Sequence, residues 1–208
     1  MRLIFADRGL EFCDVLRRQF RAHPEVEIVC GRFEELASFD CVVTAGNSFG
    51  LMDAGMDLAV VRFFGRQVME SIQQQILDDF LGEQPVGTCI IVPTGHAAHP
   101  FVAHAPTMRA PMNIEGTDHV YLAMWAVFTS VHRHNRAASL KIESLACPGL
   151  GTGTGGMAAR EAALQMCLAY EHFQRPPQFI NPSMAQQRHE RVYYGGRWGF
   201  ANPRKFEK

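Results

Sequence analysis

Two glycine-rich stretches hold most of the residues that could do chemistry. The first, residues 44–57, reads TAGNSFGLMDAGMD. Its small residues Ala45, Gly46, Ser48 and Gly55 allow a ligand to come close to the backbone. Asn47 both donates and accepts hydrogen bonds, which suits a sugar diol. Asp57 falls near the expected start of a helix, where the macrodipole favours a carboxylate. A ligand-free turn with a capping Asp accounts for the same residues. The second stretch, residues 147–156, reads CPGLGTGTGG, with five glycines in ten residues. Consecutive free amides at Gly151, Thr152, Gly153, Thr154, Gly155 and Gly156, leading into a helix, make an anion site suited to a pyrophosphate. The stretch lacks the Lys-Ser/Thr ending of a P-loop and the GxGxxG-then-acid context of a dinucleotide fold. A merely flexible loop is the plain alternative.

Short apolar runs alternate with helical patterns and must position these loops. Strands are expected at 3–5, 26–30, 41–44, 89–92, 101–103 and 142–146. Apolar residues at steps of three and four predict helices at 10–21, 57–81, 118–135 and 158–173. Such alternation implies a mostly parallel or mixed sheet covered on both faces, with ligands bound beyond the C-terminal strand ends. Both glycine-rich stretches leave a strand and enter a helix. The expected organisation is one α/β domain over residues 1–175. A tail over 176–208, rich in Pro and aromatics, is expected to pack on it.

The composition is that of a globular protein, with 47% hydrophobic and 20% charged residues among 208. A net charge of −1 argues against general nucleic-acid affinity. No signal peptide or membrane span is legible, and the six scattered cysteines read as reduced, buried small hydrophobes. Together these point to a cytoplasmic location and no membrane partner. His96, His99 and His104 invite a zinc reading, but His96 and His99 flank a turn and His104 suits a core position; no metal and no cofactor are expected. His119, His132 and His134 read as a solvated helix face.

The two loops together resemble those of the macrodomains. That family's first loop runs approximately V-N-A-A-N-S-x-L-x-G-G-G-V-D-x-A-I, and VTAGNSFGLMDAGMDLAV at 43–60 is similar to it, with one residue more before the Asp. Its second runs approximately F-P-x-I-G-T-G-x-Y-G-x-P before E-A-A, and CPGLGTGTGGMAAREAA at 147–163 matches. The family's V-I-H-T-V-G-P strand is similar to FVAHAP at 101–106, with His104 in the His place. The resemblance covers about residues 28–173. It implies a three-layer α/β/α mixed sheet and ADP-ribose as ligand, free or on a modified macromolecule. Gly151 to Gly155 would wrap the diphosphate and Asn47 would hold the distal ribose. Hydrolytic MacroD-type members carry an Asp ten residues after that Asn, which is Asp57 here. Asn47 and Asp57 are thus the implied catalytic pair for hydrolysis of ADP-ribosyl conjugates or esters. A reader that binds without turnover is the alternative.

The chain departs from that pattern. Thr44 replaces an Asn, and Met52 and Asp53 replace two glycines. Gly155 stands where many members carry an aromatic cover. Gly31-Arg32-Phe33 replaces the Gly-Asp-Ile that reads adenine. Family members usually end with a strand and helix, whereas this chain begins with a spare pair. A circular permutation that places the N-terminal pair in the vacated position would bring Asp7 near the adenine pocket. A plain helix-capping Asp7 remains open. The tail motif YYGGRWGF at 193–200 mixes stacking aromatics with Arg, or simply packs on the domain.

Overall fold

The interior strands of the sheet are buried on both faces, which explains their continuous apolar runs. In β3 (Cys41–Thr44), Cys41 and Val43 enter one hydrophobic cluster while Val42 enters the other. The computed structural model describes residues 1–192. The 193–200 motif lies outside the described residues.

The six-stranded sheet has the order β2-β1-β6-β3-β5-β4. Its strands are β1 (Arg2–Asp7), β2 (Glu27–Cys30), β3, β4 (Ile90–Pro93), β5 (Phe101–His104) and β6 (Ser144–Cys147). All neighbours are parallel except β4, which runs antiparallel to β5 at the edge. One face carries α1 (Leu10–Gln19), α4 (His119–Ala137) and α5 (Ala159–Gln174) on a core containing Phe5, Leu16, Met124, Phe128 and Met166. The other carries α2 (Gly55–Phe64) and α3 (Gln67–Phe80) on Val42, Val60, Ile72 and Val102. This is the mixed three-layer α/β/α sheet expected. The first strand is interior, between β2 and β6.

Several details differ from the sequence reading. The helix expected over 57–81 is two helices. Gly65, at φ +100°, ends α2, and its amide donates to the Val61 carbonyl at 2.8 Å. A glycine in this region stops a helix at little cost, and the apolar spacing continues through the break. A helix not anticipated, α6 (Pro182–Val192), follows the prolines and lies on α5. Arg191 pairs with Glu171 there, and the Arg188 guanidinium lies 5.2 Å from the Trp125 ring centre. Cys30 is exposed and Cys89 half-buried, because β2 is an edge strand and Cys89 precedes β4. The other four cysteines are buried and reduced. No described helix is long and apolar enough to cross a membrane.

Candidate functional site

Strand direction decides where the chemistry lies. β1, β6, β3 and β5 are consecutive and parallel, so their C-terminal ends share one edge of the sheet. Cys41 pairs with Leu145 and Val42 with Ala146, so the loops leaving β3 and β6 are neighbours. The structure therefore brings residues 45–57 and 147–156 to one rim, together with Asp7 and the segment that follows His104.

Loop one is tied together by side chains. The Asn47 carbonyl oxygen accepts from the amides of Phe49 (3.0 Å) and Leu51 (3.3 Å), and its amide donates to the Leu51 carbonyl (3.0 Å). Asn47 thus shapes the loop as an Asx turn, a role the sequence reading did not give it. Ser48 is buried and its amide meets the carbonyls of Met108 and Arg109. Met52 is buried beneath α2, whereas Asp53 is exposed.

Gly46 is required by close approach rather than by its φ. A Cβ there would stand 2.3 Å from His104 Nε2 and 3.0 Å from Asp57 Oδ2. These two side chains thus crowd over one α-carbon. Asp57 is the third residue of α2, and Ala54 is the cap, so Asp57 is not the capping residue of the ligand-free alternative. It is 7% exposed and its Oδ1 has no partner among the described residues. Burial, assisted by the negative charge of Asp53, raises its pKa to about 7. The dipole of a ten-residue helix pulls the other way, but a helix terminus acts weakly beside nearly complete desolvation.

His104 is fully buried, which lowers its pKa to about 4 and keeps the ring neutral. Its Nδ1 lies 2.8 Å from Gln84 Oε1, while Gln84 Nε2 donates to the His104 carbonyl at 3.3 Å. That second bond fixes the amide, so Oε1 is the acceptor and Nδ1 carries the proton. Nε2 is left bare, without a partner among the described residues. The satisfied core histidine of the sequence reading is therefore satisfied on one nitrogen only. Thr44, its neighbour across the strands, and Thr107, whose amide donates to the Gly46 carbonyl, also have unpartnered buried hydroxyls.

Loop two is built from backbone. The amide of Met157 reaches back to the Gly151 carbonyl (3.0 Å), and that of Gly156 to Gly153 (3.0 Å). The amides of Gly151, Thr152, Gly153, Thr154 and Gly155 donate to no acceptor among the described residues. Gly151 has φ +73°, and a Cβ on it would strike Val120 at 2.7 Å. A Cβ on Gly155 would lie 2.5 Å from the Gly151 carbonyl oxygen. This chain therefore has no room for the aromatic cover other members carry there. α5 follows at Ala159 and directs its N-terminal end to the same rim.

The sequence alone does not show that the segment at residues 105–118 connects the two loops. That segment meets loop one at the Asn47–Met108 bridge and loop two where the Ile114 amide donates to the Gly155 carbonyl (2.8 Å). His119, read as solvated, donates instead from Nδ1 to the Thr107 carbonyl at 3.0 Å and braces that connector. The only sequence signal was the run of turn formers at 111–118. Asp7 accepts from the Gly9 amide (2.8 Å) and the Gly149 amide (3.0 Å), so it ties the N-terminal unit to the start of loop two. His96 and His99 stack at 4.9 Å, and His99 also stacks on Phe39 at 3.9 Å, in an aromatic cluster that His104 does not join. His23, Cys167 and Glu171 present ligand atoms within 4.8 Å of one another, but Glu171 is paired with Arg191 and Cys167 Sγ points to the Gln19 carbonyl.

The family model for the Macro domain matches residues 43–166, more than half of the chain and both loops. The chain belongs to the macro domain family. An uncharacterized protein of Aquifex aeolicus is 29% identical over 143 residues, 68% of this chain and 78% of that one. Solved macrodomains share the fold. That of Mycobacterium tuberculosis DarG has a TM-score of 0.53 at 21% identity, covering 65% of this chain and 84% of its own. An Oceanobacillus iheyensis macrodomain variant with ADPR has a TM-score of 0.57 at 19% identity, covering 70% and 74%. At such identities the likeness speaks for the macrodomain architecture alone.

Proposed function

We propose that this macrodomain binds ADP-ribose along the rim between its two loops and hydrolyses ADP-ribosyl conjugates or esters with Asp57 as the water-activating group. The carrying observation is the adjacency of β3 and β6. It brings the loop with the uncommitted amides and the loop that leads to the buried carboxyl to one rim. A diphosphate fits the amides of loop two, whose dipoles and the α5 terminus favour negative charge. The distal sugar then extends towards loop one and Asp57. The ADP-ribose seen with solved macrodomains, the Oceanobacillus iheyensis variant and that of Trypanosoma brucei, supports this ligand.

In its ionised form Asp57 takes a proton from water as the water oxygen bonds to the distal anomeric carbon or the ester carbon. The bond to the leaving oxygen breaks and that oxygen keeps the electron pair. A base with a pKa of about 7 suits work near neutrality. Asn47 serves the site by shaping the loop, and one of its amide hydrogens remains to meet a ribose hydroxyl. Asp7, beside loop two, is assigned to the adenine end, where Gly31-Arg32-Phe33 offers no carboxylate. The permuted N-terminal unit, residues 1–175 as the working domain, the 176–208 appendage and a cytoplasmic location complete this reading.

The test has two stages. Calorimetry with ADP-ribose is expected to give a defined Kd. Release of ADP-ribose from a modified protein is then expected to fall in Asp57→Asn by about 10²–10⁴-fold with Kd little changed. Equal turnover in that variant removes Asp57 from the mechanism. Binding without turnover in the unmodified protein gives the reader reading instead, which the exposed Asp53 in loop one favours.

A further inference from the structure

Of the four unpartnered buried polar side chains among the described residues, three belong to the strand ends or connector beneath Gly46, and the fourth is Asp57. Isolated buried polar atoms are costly, and two of these four side chains, His104 and Asp57, converge over Gly46. His104 is the most constrained member. Gln84 holds it from behind by two hydrogen bonds, one to the ring and one to the backbone. The amide of Gln84 donates to the Ser48 carbonyl at 2.8 Å, so the clamp is anchored to loop one itself. The ring cannot turn without breaking the Nδ1 bond. Its bare Nε2 stays over Gly46, close enough to the Asp57 carboxyl for one oxygen to bridge both.

We propose that His104 is a positioning residue for Asp57: its unprotonated Nε2 and the Asp57 carboxyl together receive the two hydrogens of one water, or share one substrate hydroxyl. This rests on the reading of Asp57 as the reactive carboxyl. An ionised carboxylate and a bare imidazole nitrogen are both acceptors, so only a donor oxygen joins them. A water held in this way keeps one defined orientation, with its lone pairs directed away from both acceptors. Thr44 lies across from His104 at the end of β3, and Thr107 lies on the connector that bonds to Gly46. The Gln84 clamp excludes the other tautomer, in which Nε2–H would compete for the carboxylate and leave the water with one acceptor fewer. Gly46 is the residue that allows both groups to reach the site.

The test uses the full chain. A long-range ¹⁵N–¹H spectrum at pH 7 is expected to show His104 with Nδ1 protonated and Nε2 bare; the reverse tautomer overturns the proposal. Two variants then separate position from packing. His104→Asn retains an amide that can reach Gln84 but offers nothing at Nε2. His104→Gln returns an acceptor oxygen near that place. With folding verified by thermal melts, kcat is expected to fall roughly tenfold to a hundredfold in His104→Asn while the Kd for ADP-ribose holds, and to recover substantially in His104→Gln. Equal losses in both variants, or a parallel loss of binding, overturn the proposal. If the unmodified protein shows no turnover, the reading of Asp57 as a base fails by itself. The ¹³C titration of the Asp57 carboxyl then decides the positioning role. With Asp53 the other acid bearing on Asp57, its midpoint is expected to move in His104→Asn and return in His104→Gln. An unmoved midpoint overturns the proposal.

Discussion

Loop one and loop two lie side by side on one rim yet are built by opposite means. Loop one and the β5 end beside it are organised by buried groups: Asn47 makes three bonds to the backbone of its own turn, Gln84 holds His104 on β5, and the space above Gly46 is filled. Loop two is almost bare backbone, with glycines at φ +73° and +63° and five amides free of acceptors among the described residues. A charged diphosphate is best met by amide dipoles that cost little desolvation. A reacting bond is best met by a few groups whose protonation is set by burial. Substitutions should therefore damage the two loops in different currencies, stability and turnover for loop one, and ligand affinity for loop two.

The sharpest contrast is between two glycines. Gly46→Ala places a methyl against His104 and Asp57 and is expected to cost about 1–3 kcal/mol or more, read as a lowered urea midpoint. Gly153→Ala meets nothing within 4 Å and is expected to change stability by less than about 0.5 kcal/mol. Equal effects would erase the distinction between a packed and an open loop.

The next effect is opposed pH dependence on the loop-one side of the rim, between Asp57 and His104. Asp57 holds its proton to about 7 in the folded state, against 3.8 for an ordinary Asp, so the folded chain binds more protons over that window. Asp57 thus makes stability fall as pH rises from 4 to 7 and adds no slope above. His104 stays neutral down to about 4, against 6.5 for an ordinary His, so the unfolded chain binds more protons there. It makes stability rise with pH over 4 to 6.5. The two slopes largely cancel. Asp57→Asn is expected to unmask the rising slope, approaching about 1.4 kcal/mol per pH unit relative to the unmodified protein. His104→Asn is expected to unmask the falling one. Denaturant titrations from pH 4 to 7.5 check both, and parallel curves for all three proteins would mean that the two groups are not buried as described.

A smaller effect tests loop two. Gly151→Ala demands a left-handed Ala pressed on Val120 and should weaken ADP-ribose binding by tenfold or more in calorimetry, more than it alters the Asp57 titration. The smallest expected effect is at the junction. Asp7→Asn retains an acceptor for one amide and weakens the other contact, costing about 1 kcal/mol in thermal or urea unfolding.

The sequence by itself determined a good deal. Apolar runs bounded by turn formers located every strand, because strands covered on both faces need unbroken hydrophobic stretches. The order of glycines, Asn47 and Asp57 made the two loops legible, since a turn that touches a ligand leaves a local record. The break at Gly65 escaped because apolar spacing runs through it. The helix at Pro182–Val192 escaped because its residues are mostly polar. What only the tertiary structure decided was which atoms meet. The clamp of Gln84 on His104 spans twenty residues, the tie of Asp7 to Gly149 spans 142, and the crowding over Gly46 joins a loop, a helix and a strand. None of these leaves a periodic or local signature. They arise from the parallel order of β1, β6, β3 and β5, which gathers four separate strand ends on one rim, where burial then sets the protonation of Asp57 and His104.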